Sequence, residues 1–207
     1  MTRAGVWTGA LAALALALVA CGGQVPTFKY YVLTPLSGPA ASAAEGGTVS
    51  IGVGPVRLPG YLDRQQIVTR RGADEIDLGD LDRWGEALAD GVPRTIADSL
   101  GVLLPSARIA LFPWAGTVQY QVLIDVNRFD GPLGGDLVLD ARWRIVGPDR
   151  KDVVERRFTA REPVGAATYG AQVAAMSRAL GALSREIAGA LAAVAPRAST
   201  PSGRDAG

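Results

Sequence analysis

Histidine is absent from this 207-residue chain. That removes the commonest general base and the commonest metal ligand together. There is one cysteine, Cys21, so no internal disulfide can form, and a Ser/His or Cys/His catalytic pair cannot be assembled. Lysine occurs only at Lys29 and Lys151, and neither has a serine motif beside it for a Ser–Lys dyad. Excess charge of one sign is also lacking, with 21 basic and 20 acidic residues. Neither a nucleic-acid surface nor an acidic interaction tail is indicated. Asp80 and Asp82 read more naturally as helix capping than as metal ligands, and nothing points to the paired acids of a glycosidase. The composition argues for a protein that is not an enzyme, with no metal and no cofactor. Asp63 and Arg64 are the most site-like pair left, with two readings: a local turn salt bridge or a functional pair.

A membrane-spanning segment is missing too. The apolar run from Val6 to Ala20 is 15 residues, where a spanning helix needs ~20. A basic start at Arg3, this run and small residues at its end read as an export signal. Leu18-Val19-Ala20-Cys21 resembles the bacterial lipobox, in which the thiol takes diacylglycerol and the chain is cut before the cysteine. Small residues let a peptidase approach the backbone, and the thiol is the nucleophile that accepts the lipid. Cys21 is therefore the expected lipid-attachment residue and its covalent lipid the only expected adduct. Two or three acyl chains would anchor it stably. Gly22, in place of aspartate, favours the outer membrane by resemblance to lipoprotein sorting. Arg3 would leave with residues 1–20, making the mature chain formally neutral. Residues 21–27 form a lipid-anchored tether, whose six residues after the cysteine reach at most ~20 Å. The body, residues 28–195, must then lie close to the membrane.

Along that body, residues 28–33 read as a strand ended by Pro35, and 37–47 as a linker without periodicity. Val49, Ile51 and Val53 alternate with small residues, a strand with one buried face. Gly52 and Gly54 sit inside that pattern and mark a bulge or a close approach, not a phosphate loop. A turn-rich segment holding Tyr61, Leu62, Asp63 and Arg64 follows. A hairpin over 67–71 and 75–78 is closed by Gly72, Ala73 and Asp74. Asp80 and Asp82 suggest the start of a helix. Its stripe is Trp84, Leu88, Val92, Ile96, Leu100 and Leu103, with a kink or restart expected from Pro93 near Gly91. A short strand covers 108–112. Residues 117–129, 137–146 and 154–160 alternate as an antiparallel meander, apolar on one face. A second helix spans 168–194 with Val173, Met176, Leu180, Leu183, Ile187 and Val194 at 3–4 spacing. That stripe would suit either packing on the sheet or a coiled-coil seam. Residues 196–207 carry no apolar pattern and read as a disordered tail. The fold class expected is α+β: a two-layer sandwich, mostly antiparallel, with two long helices on one face and the polar face open.

Four stretches resemble the PqiC/YmbA family, the auxiliary lipoproteins of ABC-type transport systems. They are Leu58-Pro-Gly-Tyr-Leu-Asp-Arg-Gln-Gln-Ile-Val68, Arg83-Trp-Gly-Glu-Ala-Leu88 running on to Leu104-Pro105, Val126-Asn-Arg-Phe-Asp-Gly131 with Leu139-Asp-Ala-Arg-Trp143, and Val173-Ala-Ala-Met-Ser-Arg-Ala-Leu180. Gly85 departs from the alanine the family leads one to expect, which would weaken the first helix. The resemblance implies a lipoprotein at the inner leaflet of the outer membrane that works with an MCE-domain protein carrying lipid between membranes. It implies that the lipoprotein receives or positions the end of the MCE tunnel, and it allows a homo-oligomeric ring. A partner contact is expected at the Tyr61–Arg64 loop or the polar sheet face. The rival reading is a stand-alone structural or assembly lipoprotein. A lipid-binding carrier would need a large apolar cavity, and the alternating strands suggest a filled core instead.

Overall fold

A computed structural model describes residues 26–38 and 49–194. Cys21, the export signal, most of the tether and linker, and the 196–207 tail lie outside the described residues. The strands are β1 (Lys29–Tyr31), β2 (Val49–Arg57), β3 (Gln66–Arg70), β4 (Ile76–Trp84), β5 (Ala107–Leu111), β6 (Tyr120–Asp130), β7 (Asp136–Val146) and β8 (Asp152–Pro163). The helices are α1 (Leu88–Leu103) and α2 (Tyr169–Val194), and a 3-10 turn covers Gly60–Leu62. The fold is α+β, as expected, but its strands form two mixed sheets: β5-β2-β6-β7-β8 and β1-β4-β3. The meander β6-β7-β8 is antiparallel, whereas β2 runs parallel to both of its neighbours.

Both helices cover one face of the large sheet, α1 over β2 and β5, α2 over β7 and β8, and they pack on each other. That settles the use of the second stripe: it packs on the sheet. Tyr120, Val122, Ile124 and Val126 of β6 and Leu137, Leu139, Ala141, Trp143 and Ile145 of β7 are buried beneath them. Trp143 shows the direction, its indole N–H donating to Glu186 Oε1 on α2 at 3.2 Å. Chain after β1 crosses the two helices, with Thr34 N donating to Ser177 Oγ and Leu36 N to Ser99 Oγ.

The structure corrects the first helix. Asp80, Asp82 and Trp84 belong to β4, not to a helix start. β4 pairs on both sides, parallel with β1 and antiparallel with β3, and Tyr31 Oη donates to Asp82 Oδ1 at 2.7 Å. Two ladders outweigh a local capping preference worth only ~1 kcal/mol. α1 begins at Leu88, after Ala87, and is unbroken through Pro93, which removes one bond, that to the Ala89 carbonyl. Gly85 lies before the helix, its N–H donating to the Tyr31 carbonyl at 2.8 Å, and costs the helix nothing. The bulge expected in β2 is present, with a register shift between Val53 and Val56 and Gly54 at φ +117°. The glycines of β2 are buried as well, Gly52 beneath the ring of Trp114 and Gly54 against Phe112.

The turn after β6 is equally constrained. A Cβ on Gly131 would strike the Asp136 carbonyl and come within 2.7 Å of Leu137 Cα. Both are backbone atoms that cannot swing aside. Gly131→Ala should therefore destabilise the fold by about 1–3 kcal/mol, as overpacking does, read from the urea unfolding midpoint. A change within 0.3 kcal/mol would show that the turn relaxes freely.

Candidate functional site

The Tyr61–Arg64 segment divides in two. Pro59 sets the entry to the 3-10 turn, closed by Leu62 N on the Pro59 carbonyl at 2.9 Å and Asp63 N on the Gly60 carbonyl at 3.2 Å. Leu62 is buried. Tyr61 Oη donates to Asp130 Oδ2 at 2.6 Å. These two side chains are turned inward and hold the segment down.

Asp130 is the centre of that contact and is 0% exposed. A bulge between Val126 and Arg128 precedes Phe129, which enters the core, and alternation turns Asp130 to the opposite face. There Arg70 grips it with two bonds, Nε at 2.7 Å and a terminal nitrogen at 2.9 Å. Arg128 Nε adds a third at 2.9 Å. Beside it the Gly131 carbonyl accepts from Arg70 N at 3.0 Å and from Gln172 Nε2 of α2 at 3.3 Å. One corner thus joins β3, the 3-10 turn, β6 and α2. Burial works to raise the Asp130 pKa, but the bonds from Arg70, Tyr61 and Arg128 outweigh it and hold the carboxyl below its ordinary range. Burial and then the bond to Asp130 push Tyr61 up to about 12.

Asp63 and Arg64 form no ion pair with each other among the described residues, so the local salt-bridge reading is set aside. Asp63 is exposed and Arg64 half-buried. Both line a cleft of about 420 Å³ with Tyr30, Gln65, Arg83 and Glu86. The polar sheet face is separate. It carries paired charges, Arg57–Asp125, Arg144–Asp152 and Arg157–Asp140; Asp125, Arg144 and Asp152 line a shallow recess of about 230 Å³ together with the exposed Arg142. Exposed pairs of this kind contribute little stability.

Among the described residues no cluster of three metal-ligating side chains occurs, and no helix is long and apolar enough to cross a membrane. Residues 31–188 match the family described as ABC-type transport auxiliary lipoprotein component. The chain belongs to that family. It is also the family that the four motif stretches resemble. Two crystal structures share the auxiliary lipoprotein's fold. One, titled only an uncharacterized protein, is 20% identical with a TM-score of 0.69 over 80% of this chain and 99% of that one. The other, a DUF330 protein from Xanthomonas campestris, is 19% identical with a TM-score of 0.62 over 79% of this chain and 94% of that one. No curated protein matches the chain.

Sequence reading missed Asp130, Arg70, Arg128 and Arg83. Asp130 lies in the Phe129-Asp130-Gly131 stretch that carried part of the resemblance, but its partners stand 60 and 69 positions away. Removing the carboxylate's charge would leave the partly buried Arg70 and the more exposed Arg128 without their counter-ion, so Asp130→Asn should cost on the order of 2 kcal/mol. Its contribution is complete above the ordinary carboxylate pKa of ~4 and is lost as pH falls through the lowered folded value. Tyr61 has the opposite sense: its contribution is complete below ~10 and lost as pH rises through the folded value of about 12. In thermal unfolding from pH 2 to 11, Asp130→Asn should flatten the acid limb. An unchanged acid limb would remove Asp130 as its source.

Proposed function

We propose that this chain is the outer-membrane lipoprotein subunit of an MCE/ABC-type intermembrane lipid transport system. It docks or positions the MCE tunnel at the membrane, held there by lipid on Cys21. The observation that carries the reading is the family match across residues 31–188, nearly all of the body. The Leu18-Val19-Ala20-Cys21 motif and the short stretch between it and β1 support the anchor. The role assigned is positional, not catalytic.

Of the two partner surfaces considered, we favour the polar face of β6, β7 and β8. Tyr61 and Leu62 are committed inward, whereas Arg142 is exposed among solvent-facing ion pairs on an open sheet, where a partner can reach it. Charged surfaces of this kind steer association and fix register.

Two measurements test the reading. Mass spectrometry of the processed protein should find its first residue to be Cys21 with acyl mass attached, and Cys21→Ser should lose both cleavage and acylation. A soluble, unacylated product from the unaltered chain would overturn the anchor. In a pull-down from gently solubilised membranes, the tagged chain should recover an MCE-domain protein and an ABC ATPase. Replacing Arg142 and Arg144 together by glutamate should cut that recovery at least fivefold with the unfolding temperature little changed. Recovery unaffected by the charge reversal would move the interface elsewhere. Recovery of no transport component would favour a stand-alone structural lipoprotein.

A further inference from the structure

The cleft beside β1 holds two arginines that form no ion pair among the described residues. Arg64 and Arg83 both line it, and each has a buried Nε with no hydrogen-bond partner among the described residues. Neither belongs to an ion pair there, which is also true of Arg108, Arg142, Arg150, Arg156, Arg161 and Arg185; what sets Arg64 and Arg83 apart is the buried, unpartnered Nε of each beside one shared cleft. Arg83 is held in place by uncharged groups: its guanidinium stacks on the Phe28 ring at 4.0 Å, and Gln65 Oε1 accepts from one terminal nitrogen at 3.4 Å. The acids facing the cleft are Asp63 and Glu86, and Glu86 is engaged by Arg94. Among the described residues, two arginines outside any ion pair thus meet one carboxylate, Asp63, that is also outside any ion pair. α1 also begins at this cleft, and its N-cap Ala87 offers no side-chain cap, adding the positive end of a helix dipole. Guanidinium forks at a partly desolvated site fit phosphate oxygens.

The neighbouring surface states which phosphate. Phe28, Tyr30 and Val32 are 41%, 64% and 57% exposed, three large apolar side chains at alternate positions along one edge. Aromatic residues of this kind sit at the headgroup level of a bilayer. Phe28 is seven positions beyond Cys21, so it cannot lie more than ~25 Å from the attached lipid. We propose that the Arg64–Arg83 cleft binds the phosphate of an anionic phospholipid headgroup, with Phe28, Tyr30 and Val32 resting in the headgroup layer. The inference rests on the reading that Cys21 carries lipid. It adds an orientation: the β1 edge faces the membrane, and the polar face of the large sheet is left for a partner.

The test uses the processed, lipid-bearing protein with vesicles of phosphatidylcholine alone, of phosphatidylcholine with one-fifth phosphatidylglycerol, and of phosphatidylcholine with inorganic phosphate in the buffer. Amide hydrogen exchange at 28–33 and 63–65 should slow at least fivefold with phosphatidylglycerol only. Arg64→Gln and Arg83→Gln should each abolish most of that difference. Arg64→Gln is the safer variant if loss of the Phe28 stack unfolds the edge, and thermal unfolding of each variant checks this. Equal exchange in all three samples, or protection that survives both substitutions, overturns the proposal. Protection by inorganic phosphate alone replaces the lipid with a free anion and overturns the membrane orientation. Flotation separates the two readings. A chain that fails to float with phosphatidylcholine loses its anchor, while an arginine-dependent difference between the vesicles still decides the cleft.

Discussion

A buried carboxylate between three donors is the constraint on which the arrangement of this molecule depends. Asp130 ends β6 of the large sheet, yet its oxygens are bound by Arg70 from the small sheet, Tyr61 from the 3-10 turn and Arg128 from its own strand. A charge without solvent is tolerated only when its lone pairs are filled in good geometry. The two oxygens therefore dictate where the small sheet and the turn must sit. Leu62 follows Tyr61 inward, and the loop beyond it is set down beside β4.

The same constraint separates the molecule into two working ends. With the Tyr61 hydroxyl bound to Asp130 and Leu62 buried, Asp63 and Arg64 are the residues of that loop that line the cleft, together with Arg83 near the end of β4. β1 pairs with β4 there, so the first strand after the proposed anchor, the two arginines and the exposed aromatic edge come together. The helices cover the other face of the large sheet, leaving the charged face of the meander open. The proposed anchor at one end and the open, charged face at the other are what the proposed positional role requires. The core supports this view: Trp143, Phe129, Leu137, Leu139 and Met176 are fully buried, filling the space that a carrier would need for lipid.

Local pattern revealed much of the fold. The β6-β7-β8 alternation, the hairpin closed at Gly72, Ala73 and Asp74, the bulge in β2 and the whole of α2 are signals written within a few residues, through periodicities of 2 and 3.6. Failures came where distant pairing overrode local preference. Asp80-Leu81-Asp82 followed by Trp84 satisfies the local rules for a helix start, but two neighbouring strands claimed it. Parallel pairing of β2 with β5 and β6 was also hidden, since nothing in an alternating segment states the direction of its neighbour. Of the Tyr61–Arg64 segment, the sequence pointed to Asp63 and Arg64 but not to their neighbours: Tyr61 bonds Asp130, and Arg64 shares a cleft with Arg83 and forms no ion pair with Asp63.

Sequence by itself determined the α+β class, the two long helices and the absence of histidine chemistry, because each follows from residue type and short spacing, and the likeness of four whole stretches pointed to the family. The tertiary structure alone decided that two sheets form, that Asp130 ties them together and that Arg64 and Arg83 share one cleft. Those facts depend on side chains brought together across 60 or so positions or from separate strands. Such meetings are set by the packing of whole elements, which no local window of the chain contains.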